Sequence, residues 1–371
     1  MKCKDKSVNV LSLFDGMSCG RIALDRAGFE VGSYYAAEVD KYAITVTQAN
    51  YPNTVQLGDV TNWRDWDIDW AGIDLLIGGS PCQGFSFAGK QLAFDDPRSK
   101  LFFVYVDILN HIRSVNPNIK FLLENVKMKK EYLDVISEHL GVEPEPINSA
   151  LLSAQNRQRY YWANWEFGQP EDKGLVLADI IEDGEVDRDK SYCIDANYFK
   201  GGNPEQYFNK SRRQLVFNPA AIVGRKIDER GKRNDALDQK PVQCLEVQSH
   251  QKSRFLSTVA KDTVISPMTP GRYPLTEKSQ TILATLYKEN AKSMVKRNKR
   301  GLLVCSETED FGEHETDGLF YRKLTPTECE ALQTTPRDYT AYVSNSQRYK
   351  MLGNGFTVDV IAHILRGLRN G

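Results

Sequence analysis

The first 165 residues alternate between short apolar runs and longer segments in which apolar residues recur every three or four positions. Short apolar runs are typical of buried strands, and the three-to-four spacing is typical of helices with one buried face. The pattern predicts strands over 8–14, 34–37, 55–57, 73–77 and 119–123, with helices after residue 18 and over 41–50 and 101–115. Strands and helices that alternate in this way predict an α/β fold with a doubly wound, mostly parallel sheet.

The alternation is lost over residues 166–320, where Gly, Pro, Asn and Lys are frequent and the apolar runs are short. This stretch predicts a second, smaller domain that is irregular and β-rich. A helical pattern returns with Thr325 as a cap and Pro326 in the first turn, and a closing helix is expected over 359–368. We therefore expect one domain over 1–165, completed by 340–371, and a second over 166–339.

The charge is divided unevenly along the chain, although the net charge is only −1. Residues 201–300 hold 20 Lys and Arg against 9 Asp and Glu, and the remainder holds 28 against 40. A basic third in a neutral protein indicates a polyanionic partner such as a nucleic acid. The alternative is a solvated, loop-rich surface.

The seven cysteines are scattered and no two have CxxC spacing, so neither a metal site nor a disulfide framework is indicated. A reducing, cytoplasmic setting is expected. No apolar run is long enough to span a bilayer, so no membrane association is expected.

One thiol follows a predicted buried strand directly. The apolar run ends in Gly78-Gly79, and Ser80-Pro81-Cys82-Gln83 comes next. Chemistry in doubly wound folds lies at the carboxyl ends of strands, and Pro81 restrains the backbone before the sulfur. Cys82 is a candidate nucleophile. The alternative is a buried cysteine that acts as a small hydrophobe.

Other strand ends carry features that suit an adenosine-containing cofactor. The loop from Phe14 to Gly20 joins a strand to a helix, so its N–H groups can face an anion. Glu38 and Asp40 follow the second strand, where a carboxylate can bind a ribose. Asp59 follows the third strand and can accept from an adenine amine. An ordinary turn with surface carboxylates is the alternative.

Glu124 ends the fifth predicted strand and can hold or pass a proton beside a pocket. Arg157 and Arg159 are two residues apart, so on an extended segment both face the same way, toward an oxygen-rich ligand. An edge strand with exposed charges is the alternative.

Taken in order, these segments resemble the cytosine-C5 DNA methyltransferase family. The matching residues are Phe14-x-Gly16, Glu38 and Asp40, Gly58-Asp59, Pro81-Cys82-Gln83, Glu124-Asn125-Val126, Gln155-x-Arg157-x-Arg159, Arg322-Lys323-Leu324-Thr325 with Glu328 and Leu332-Gln333, and Gly353-Asn354. The resemblance covers roughly 8–165 and 320–369. Ser18-Cys19 in the first loop and Gly355-Phe356 in the last motif depart from the family's usual residues.

The resemblance implies a Rossmann-like, S-adenosylmethionine-dependent methyltransferase that flips a cytosine out of duplex DNA within a specific short sequence. Cys82 would attack C6, Glu124 would bind N3 and the exocyclic amine, and Arg159 would bind O2. Arg157 would orient the nucleophile loop or a phosphate. C5 would take the methyl group, leaving S-adenosylhomocysteine, and a water or a side chain would remove the C5 proton.

The resemblance also implies binding residues. Those expected at the cofactor are Phe14, Asp15, Gly16, Met17, Ser18, Glu38, Val39, Asp40, Asp59, Val60, Pro81, Leu101, Asn354 and Phe356. Those expected at DNA are Gln83, Ser86, Arg98, Lys100, Arg212, Arg213, Arg225, Arg230 and Arg233. The basic region would be a target-recognition domain, and no metal is implied.

A bacterial or phage-encoded enzyme that acts as a monomer, with a cognate restriction endonuclease as a candidate partner, fits this reading. The alternatives are a tRNA methyltransferase of the same fold, a non-catalytic DNA-binding relative and a metabolic enzyme. The large basic insert favours DNA over tRNA, the intact Cys82 and Glu124 favour catalysis, and the charge division disfavours a metabolic enzyme.

Overall fold

The structure is a computed structural model that describes residues 7–81, 100–184, 186–200, 206–207, 210–217, 219–225, 242–247, 263–265, 272–274 and 321–370. Among these residues, no helix combines the length and the apolar character needed to cross a membrane. Within the same ranges, no group of three or more His, Cys, Asp and Glu side chains could hold a metal ion.

A seven-stranded sheet organises the first part of the chain. Its spatial order is β3-β2-β1-β4-β5-β7-β6, with β1 to β5 parallel and β7 antiparallel to both of its neighbours. The order reverses between β1 and β4, and ligands of doubly wound sheets bind at such a switch point. The strands are Val8–Leu13, Val31–Ala37, Val55–Gln56, Leu75–Gly78, Lys120–Val126, Glu145–Asn148 and Gln158–Ala163.

Helices pack against this sheet through apolar side chains. The core that α3 and α4 share with β1, β4 and β5 includes Leu13, Leu76, Phe102, Tyr105 and Phe121, all buried. Burying each such side chain contributes about 2 kcal/mol. The helices are α1 (Cys19–Ala27), α2 (Lys41–Asn50), α3 (Lys100–Val115), α4 (Lys130–Leu140), α5 (Pro326–Leu332), α6 (Asn345–Asn354) and α7 (Val358–Asn370).

The α/β class, the mostly parallel sheet and the predicted strands β1 to β5 are confirmed, but β5 is longer than expected. It continues through Glu124 to Val126 because β7 pairs with it there, Glu124 opposite Tyr161 and Val126 opposite Arg159. Helix α4 and the edge strand β6 were not predicted. Glu124 therefore projects from a paired strand and not from a loop, which fixes its backbone.

The described chain forms two compact units, residues 1–175 with 193–199 and 329–371, and residues 176–192 with 200–328. The division falls at 176 and 329, whereas the expected boundaries were 166 and 340. Within the second unit, the described strands form an antiparallel sheet of order β11-β9-β10-β12 and a β13-β8 pair. These strands are β8 (Leu215–Phe217), β9 (Pro219–Arg225), β10 (Val242–Val247), β11 (Thr263–Ile265), β12 (Arg272–Pro274) and β13 (Tyr321–Lys323). A role of this unit in target recognition stays a prediction.

Candidate active site

The loop after β1 has an unusual backbone. Phe14, Gly16 and Ser18 all have positive φ, of 57°, 60° and 59°. This region is unfavourable for residues other than glycine, so the surrounding structure must hold Phe14 and Ser18 in place. A Cβ added at Gly16 would meet nothing within 4 Å, so the loop borders open space.

Asp15 holds the loop from beneath. Its carboxylate accepts hydrogen bonds from Tyr34 Oη at 2.7 Å and from the Ser18 hydroxyl, and Ser18 Oγ lies 3.0 Å from Thr47 Oγ1. Asp15 is buried, and this burial raises its pKa to about 6 despite the hydrogen bonds that favour the ionised form. Asp15 therefore positions the loop from the protein interior.

The raised pKa of Asp15 predicts a specific pH dependence of stability. The Asp15 carboxyl has a pKa of about 6 in the folded state, against 3.8 for an ordinary Asp carboxyl. The folded state therefore binds this proton more tightly than the unfolded state, and the stability that it contributes is lost as pH rises from about 4 to above 6. We expect the free energy of unfolding of Asp15→Asn, relative to wild type, to rise by about 2 kcal/mol between pH 4 and pH 7. Denaturant unfolding across that range measures it.

Asp40→Asn is the control for this prediction, because its effect on stability should change with pH in the opposite direction. Burial of Asp40 raises its pKa, but hydrogen bonds from Lys350 Nζ and from the backbone of Tyr42 outweigh this and hold the pKa below its usual value. Removing Asp40 should therefore cost more stability as pH rises. If Asp15→Asn showed no gain between pH 4 and pH 7, the interpretation of Asp15 would be wrong.

The carboxylate of Glu38 connects the ends of β1 and β2. Its Oε2 accepts from Gly16 N at 2.8 Å, and its Oε1 accepts from the N–H groups of Val39 and Asp40 at 2.8 Å each. Val39, the next residue, is 69% exposed although it is apolar. The acidic group and an uncovered apolar surface therefore lie side by side next to the first loop.

Two further residues expected at a cofactor lie after β3. Asp59 is exposed, and its Oδ1 accepts from both the N–H and the hydroxyl of Thr61 at 2.8 Å, which caps the 3-10 turn Val60–Asp65. Val60 is buried. A Cβ on the preceding Gly58 would meet nothing within 4 Å. The turn thus presents Asp59 beside open space.

The segment that leads to Cys82 is held by a neighbouring strand. Asn125, in β5, donates from Nδ2 to Ser80 Oγ at 3.2 Å, and both side chains are buried. Pro81 is half-buried. Cys82 itself lies outside the described residues, together with Gln83, Ser86 and Arg98. The structure therefore shows where the backbone that leads to Cys82 lies, and the role of the thiol stays a prediction.

Glu124 and Arg159 form an ion pair at the same edge of the sheet. Arg159 Nε lies 2.9 Å from Glu124 Oε1, and the two side chains are 15% and 12% exposed. Such a partly buried, charge-assisted contact fixes both groups more firmly than an exposed pair would be fixed. The two side chains, expected to face one ligand, are brought together.

The ring of Phe356 lies at the same place. A Cβ added at Gly79 would lie 2.8 Å from Phe356 Cε1 and 3.2 Å from Glu124 Oε2. Only a residue without a side chain permits this approach, which explains the glycine that precedes Ser80. The ring of Phe356 and the carboxylate of Glu124 thus both border the space beside Gly79.

Arg157 does not face a ligand together with Arg159, so that expectation is wrong. Arg157 precedes β7, which begins at Gln158, and the period-two argument applies only within a strand. Its guanidinium is buried and donates to the carbonyl oxygens of Ile194, Gly353 and Gly355 at 3.1, 3.3 and 2.9 Å. Arg157 supports the backbone before Phe356.

The remaining predicted residues fall in several places. Met17 is buried, Leu101 is half-buried and Asn354 is exposed. Among those expected at DNA, Lys100 is exposed at the start of α3, Arg212 is exposed, and Arg213 is half-buried with a φ of 56°. Arg225 ends β9, and Arg230 and Arg233 lie outside the described residues.

Sequence reasoning missed two groups of residues around the site. Lys127, Lys129 and Lys130 are exposed directly after β5. Their signal was the short basic run after Glu124-Asn125-Val126. A buried network around Gln333 was also missed, because its hydrogen bonds join residues 19 to 178 positions apart and leave no local pattern.

The fold and these strand-end groups define a Rossmann-like protein with a candidate ligand site at the carboxyl ends of its parallel strands. The structure of the Entamoeba histolytica methyltransferase EhMeth matches it over 99% of both chains with a TM-score of 0.53 and 15% sequence identity, a likeness of fold. The family model for C-5 cytosine-specific DNA methylase matches residues 8–370. The chain belongs to this family and is a DNA cytosine-5-methyltransferase.

Two curated relatives have similar lengths. The type II methyltransferase M.NlaX of Neisseria lactamica is 26% identical over 378 residues, which cover 97% of this chain and 96% of the relative. The type II methyltransferase M.HhaI of Haemophilus parahaemolyticus is 26% identical over 388 residues, 98% of this chain and 96% of the relative.

Proposed function

We propose that the enzyme methylates C5 of cytosine in duplex DNA through a covalent bond between Cys82 and C6, with S-adenosylmethionine as the methyl donor. The observation that carries the proposal is the Glu124–Arg159 ion pair beside Gly79, at the strand edge where Ser80-Pro81 leads to Cys82. The carboxylate of Glu124, the guanidinium of Arg159 and the backbone that leads to Cys82 therefore lie at one place on the sheet.

The residues at the ends of β1 to β3 suit the donor. Open space beside Gly16 and Gly58 leaves room for a nucleoside, and the exposed Val39 offers an apolar surface on which an adenine can pack. The carboxylate of Glu38 keeps lone pairs for ribose hydroxyls, and Asp59 lies beside the adenine position. When bound, S-adenosylmethionine supplies an electrophilic methyl group on a sulfonium sulfur.

Covalent attack by Cys82 overcomes the poor nucleophilicity of C5. The thiolate forms a bond to C6, and the ring electrons move toward C5 and N3. After C5 gains its methyl group, a base removes the C5 proton, the electrons re-form the C5–C6 double bond, and the thiolate leaves. The enzyme ends the cycle unchanged.

Glu124 and Arg159 assist this addition. When the base enters, Glu124 takes up a proton from solvent and gives it to N3 as negative charge moves into the ring, and it accepts from the exocyclic amine. Arg159 keeps a permanent charge beside O2. Because Arg159 already contacts Glu124 at 2.9 Å, the two groups are positioned before the base arrives.

We further propose that Lys127, Lys129 and Lys130 contact DNA phosphates. Lys127 follows Glu124 by three residues, so their Cα atoms lie within about 10 Å of one another. The backbone of a flipped nucleotide must pass close to its base pocket. Lys127 Nζ donates to a neutral group, Gln158 Oε1, at 3.4 Å, and Lys129 has an exposed, 3.5 Å ion pair with Glu131. Such weak contacts are readily exchanged for phosphate.

Replacing these three lysines with glutamine should weaken DNA binding and reduce its salt dependence. Each lost phosphate contact lowers the slope of log K against log salt by about 0.9, so we expect a decrease of about 2 to 3. Titration of a duplex from about 50 to about 200 mM salt measures this. Lys120→Gln, at the opposite end of β5, is the control and should leave the slope unchanged. An unchanged slope in the triple variant would refute the contact.

The experiment that tests the proposed function compares substrates directly. Purified enzyme with a labelled methyl donor is given duplex DNA or tRNA, and bisulfite sequencing then reads the modified positions. We expect methylated cytosines at one short sequence in duplex DNA. Methyl transfer to tRNA alone would overturn the proposal.

A further inference from the structure

A buried hydrogen-bond network lies behind the candidate site, and Gln333 is its centre. Gln333 follows α5 directly and is fully buried. Its Oε1 accepts from Gln155 Nε2 and from Thr357 Oγ1 at 2.9 Å each. Its Nε2 donates to the carbonyl oxygens of Leu352 and Gly355, the latter at 3.3 Å. All hydrogen-bonding capacity of this amide is used.

The network has further connections on both sides of Gln333. Ser149 Oγ donates to Thr357 Oγ1 at 2.9 Å, and Gln155 Nε2 donates to Leu332 O at 2.8 Å. The backbone carbonyl of Gln333 accepts from Val358 N at 2.9 Å. Segment 352–358 is thereby held in place by hydrogen bonds to Gln333 and to Ser149. A fully satisfied buried network of this kind specifies one conformation.

The residue so fixed is Phe356. It lies between Gly355, whose carbonyl accepts from Gln333, and Thr357, whose hydroxyl donates to Gln333. Its ring borders the space beside Gly79, which Glu124 Oε2 borders as well. A displacement of segment 352–358 would therefore move the ring relative to the catalytic carboxylate and to the approach to Cys82.

We propose that Gln333 is a positioning residue for methyl transfer, which acts by holding Phe356 against Gly79 and beside Glu124. The proposal rests on the proposed function, in which Glu124 and Cys82 act on the base. Gln333 touches neither substrate nor donor. Its effect is on the rate of the chemical step, where a misplacement of about 1 Å can cost about 10²-fold.

Gln333→Glu is the sharpest change, because its shape is almost unchanged. The Nε2 that donates to two carbonyl oxygens becomes an acceptor and is repelled by both. We expect single-turnover methyl transfer at saturating DNA and donor to fall by about 10²-fold, with donor affinity changed less than about threefold.

Asn164→Asp is the matched control. Asn164 Nδ2 donates to Ile119 O at 2.9 Å and its Oδ1 accepts from Phe121 N at 3.0 Å, at the amino end of β5. The same amide-to-carboxylate change there should lower the unfolding midpoint and leave the single-turnover rate within about threefold of wild type. Equal losses of rate in the two variants would overturn the proposal.

A second background separates positioning from stability. With Phe356→Val the ring is gone, so adding Gln333→Glu should slow methyl transfer by less than about threefold while it lowers the unfolding midpoint as before. An undiminished loss of rate in that background would overturn the proposal. If Gln333→Glu does not fold, Thr357→Val, which removes one donor to Gln333, takes its place with the same two outcomes.

Failure of the proposed function itself has a different signature. If Cys82→Ala still methylated DNA, the chemistry assigned to the site would be wrong whatever Gln333 does. If Cys82→Ala is inactive and Gln333→Glu transfers methyl groups at the wild-type rate, only the positioning role is lost.

Discussion

Cys82→Ala should lower methyl transfer by more than about 10⁴-fold, because the variant lacks the thiolate that forms the bond to C6. Without that bond the C5 position stays unreactive toward the methyl donor. Cys19 cannot substitute, since burial raises the pKa of its thiol to about 12 and keeps it protonated at neutral pH. Single-turnover assays with a labelled donor measure the loss.

The matched control for this prediction is Cys329→Ala, which removes another thiol, buried in α5. It should transfer methyl groups within about threefold of wild type, because Cys329 has no part in the reaction. Cys82→Ala should still bind duplex DNA, since the phosphate contacts remain. Methyl transfer by Cys82→Ala within about tenfold of wild type would contradict the assignment.

Glu124→Gln should slow methyl transfer by about 10² to 10⁴-fold, the range typical of a lost general acid. The amide cannot give a proton to N3, and it loses the charge that attracts Arg159 at 2.9 Å. Formation of the bond to C6 should slow by a similar factor, because the proton helps the first addition. Rapid-quench measurement of the adduct and of the methylated product gives both rates.

Glu145→Gln is the control for this change. Glu145 in β6 and Glu124 in β5 pair with the same residue, Tyr161 of β7, from opposite sides. Glu145 Oε1 accepts from Gln169 Nε2 on an exposed surface and not from a site arginine. Its variant should react within about threefold of wild type. Similar rates for the two variants would mean that Glu124 is not the acid.

Local signals were enough to predict much of the fold. The apolar run before Gly78-Gly79 predicted β4, and the helix start at Thr325 is confirmed. Thr325 N donates to Glu328 Oε2 at 2.7 Å, and Glu328 N donates to Thr325 Oγ1 at 3.1 Å, a reciprocal capping box. Both features depend on residues within a few positions of one another.

Features that depend on distant partners were not predictable in the same way. Strand β5 extends through Glu124 only because β7 pairs with it, and Arg157 turns inward only because the carbonyl oxygens of Ile194 and Gly353 lie there. A two-residue spacing could not reveal that β7 begins at Gln158. The network of Gln333 has the same origin.

The cofactor loop lies between these cases. The sequence predicted Glu38 at a strand end, but the structure adds that its carboxylate accepts from Gly16 N and so connects two strand ends. The role of Asp15 beneath the loop depends on Tyr34, which only the sheet brings close. Tertiary contacts thus determine which acidic groups face inward and which face the open space.

In the proposed mechanism, Cys82 attacks C6 of a cytosine in duplex DNA. Duplex DNA with 5-fluorocytosine at the target tests it, because fluorine at C5 cannot leave as a proton does and the adduct persists. Incubation with the methyl donor, denaturation and mass spectrometry should give one protein–DNA species, with the crosslink on the peptide that contains Cys82. No such species, or a crosslink on another residue, would contradict the account.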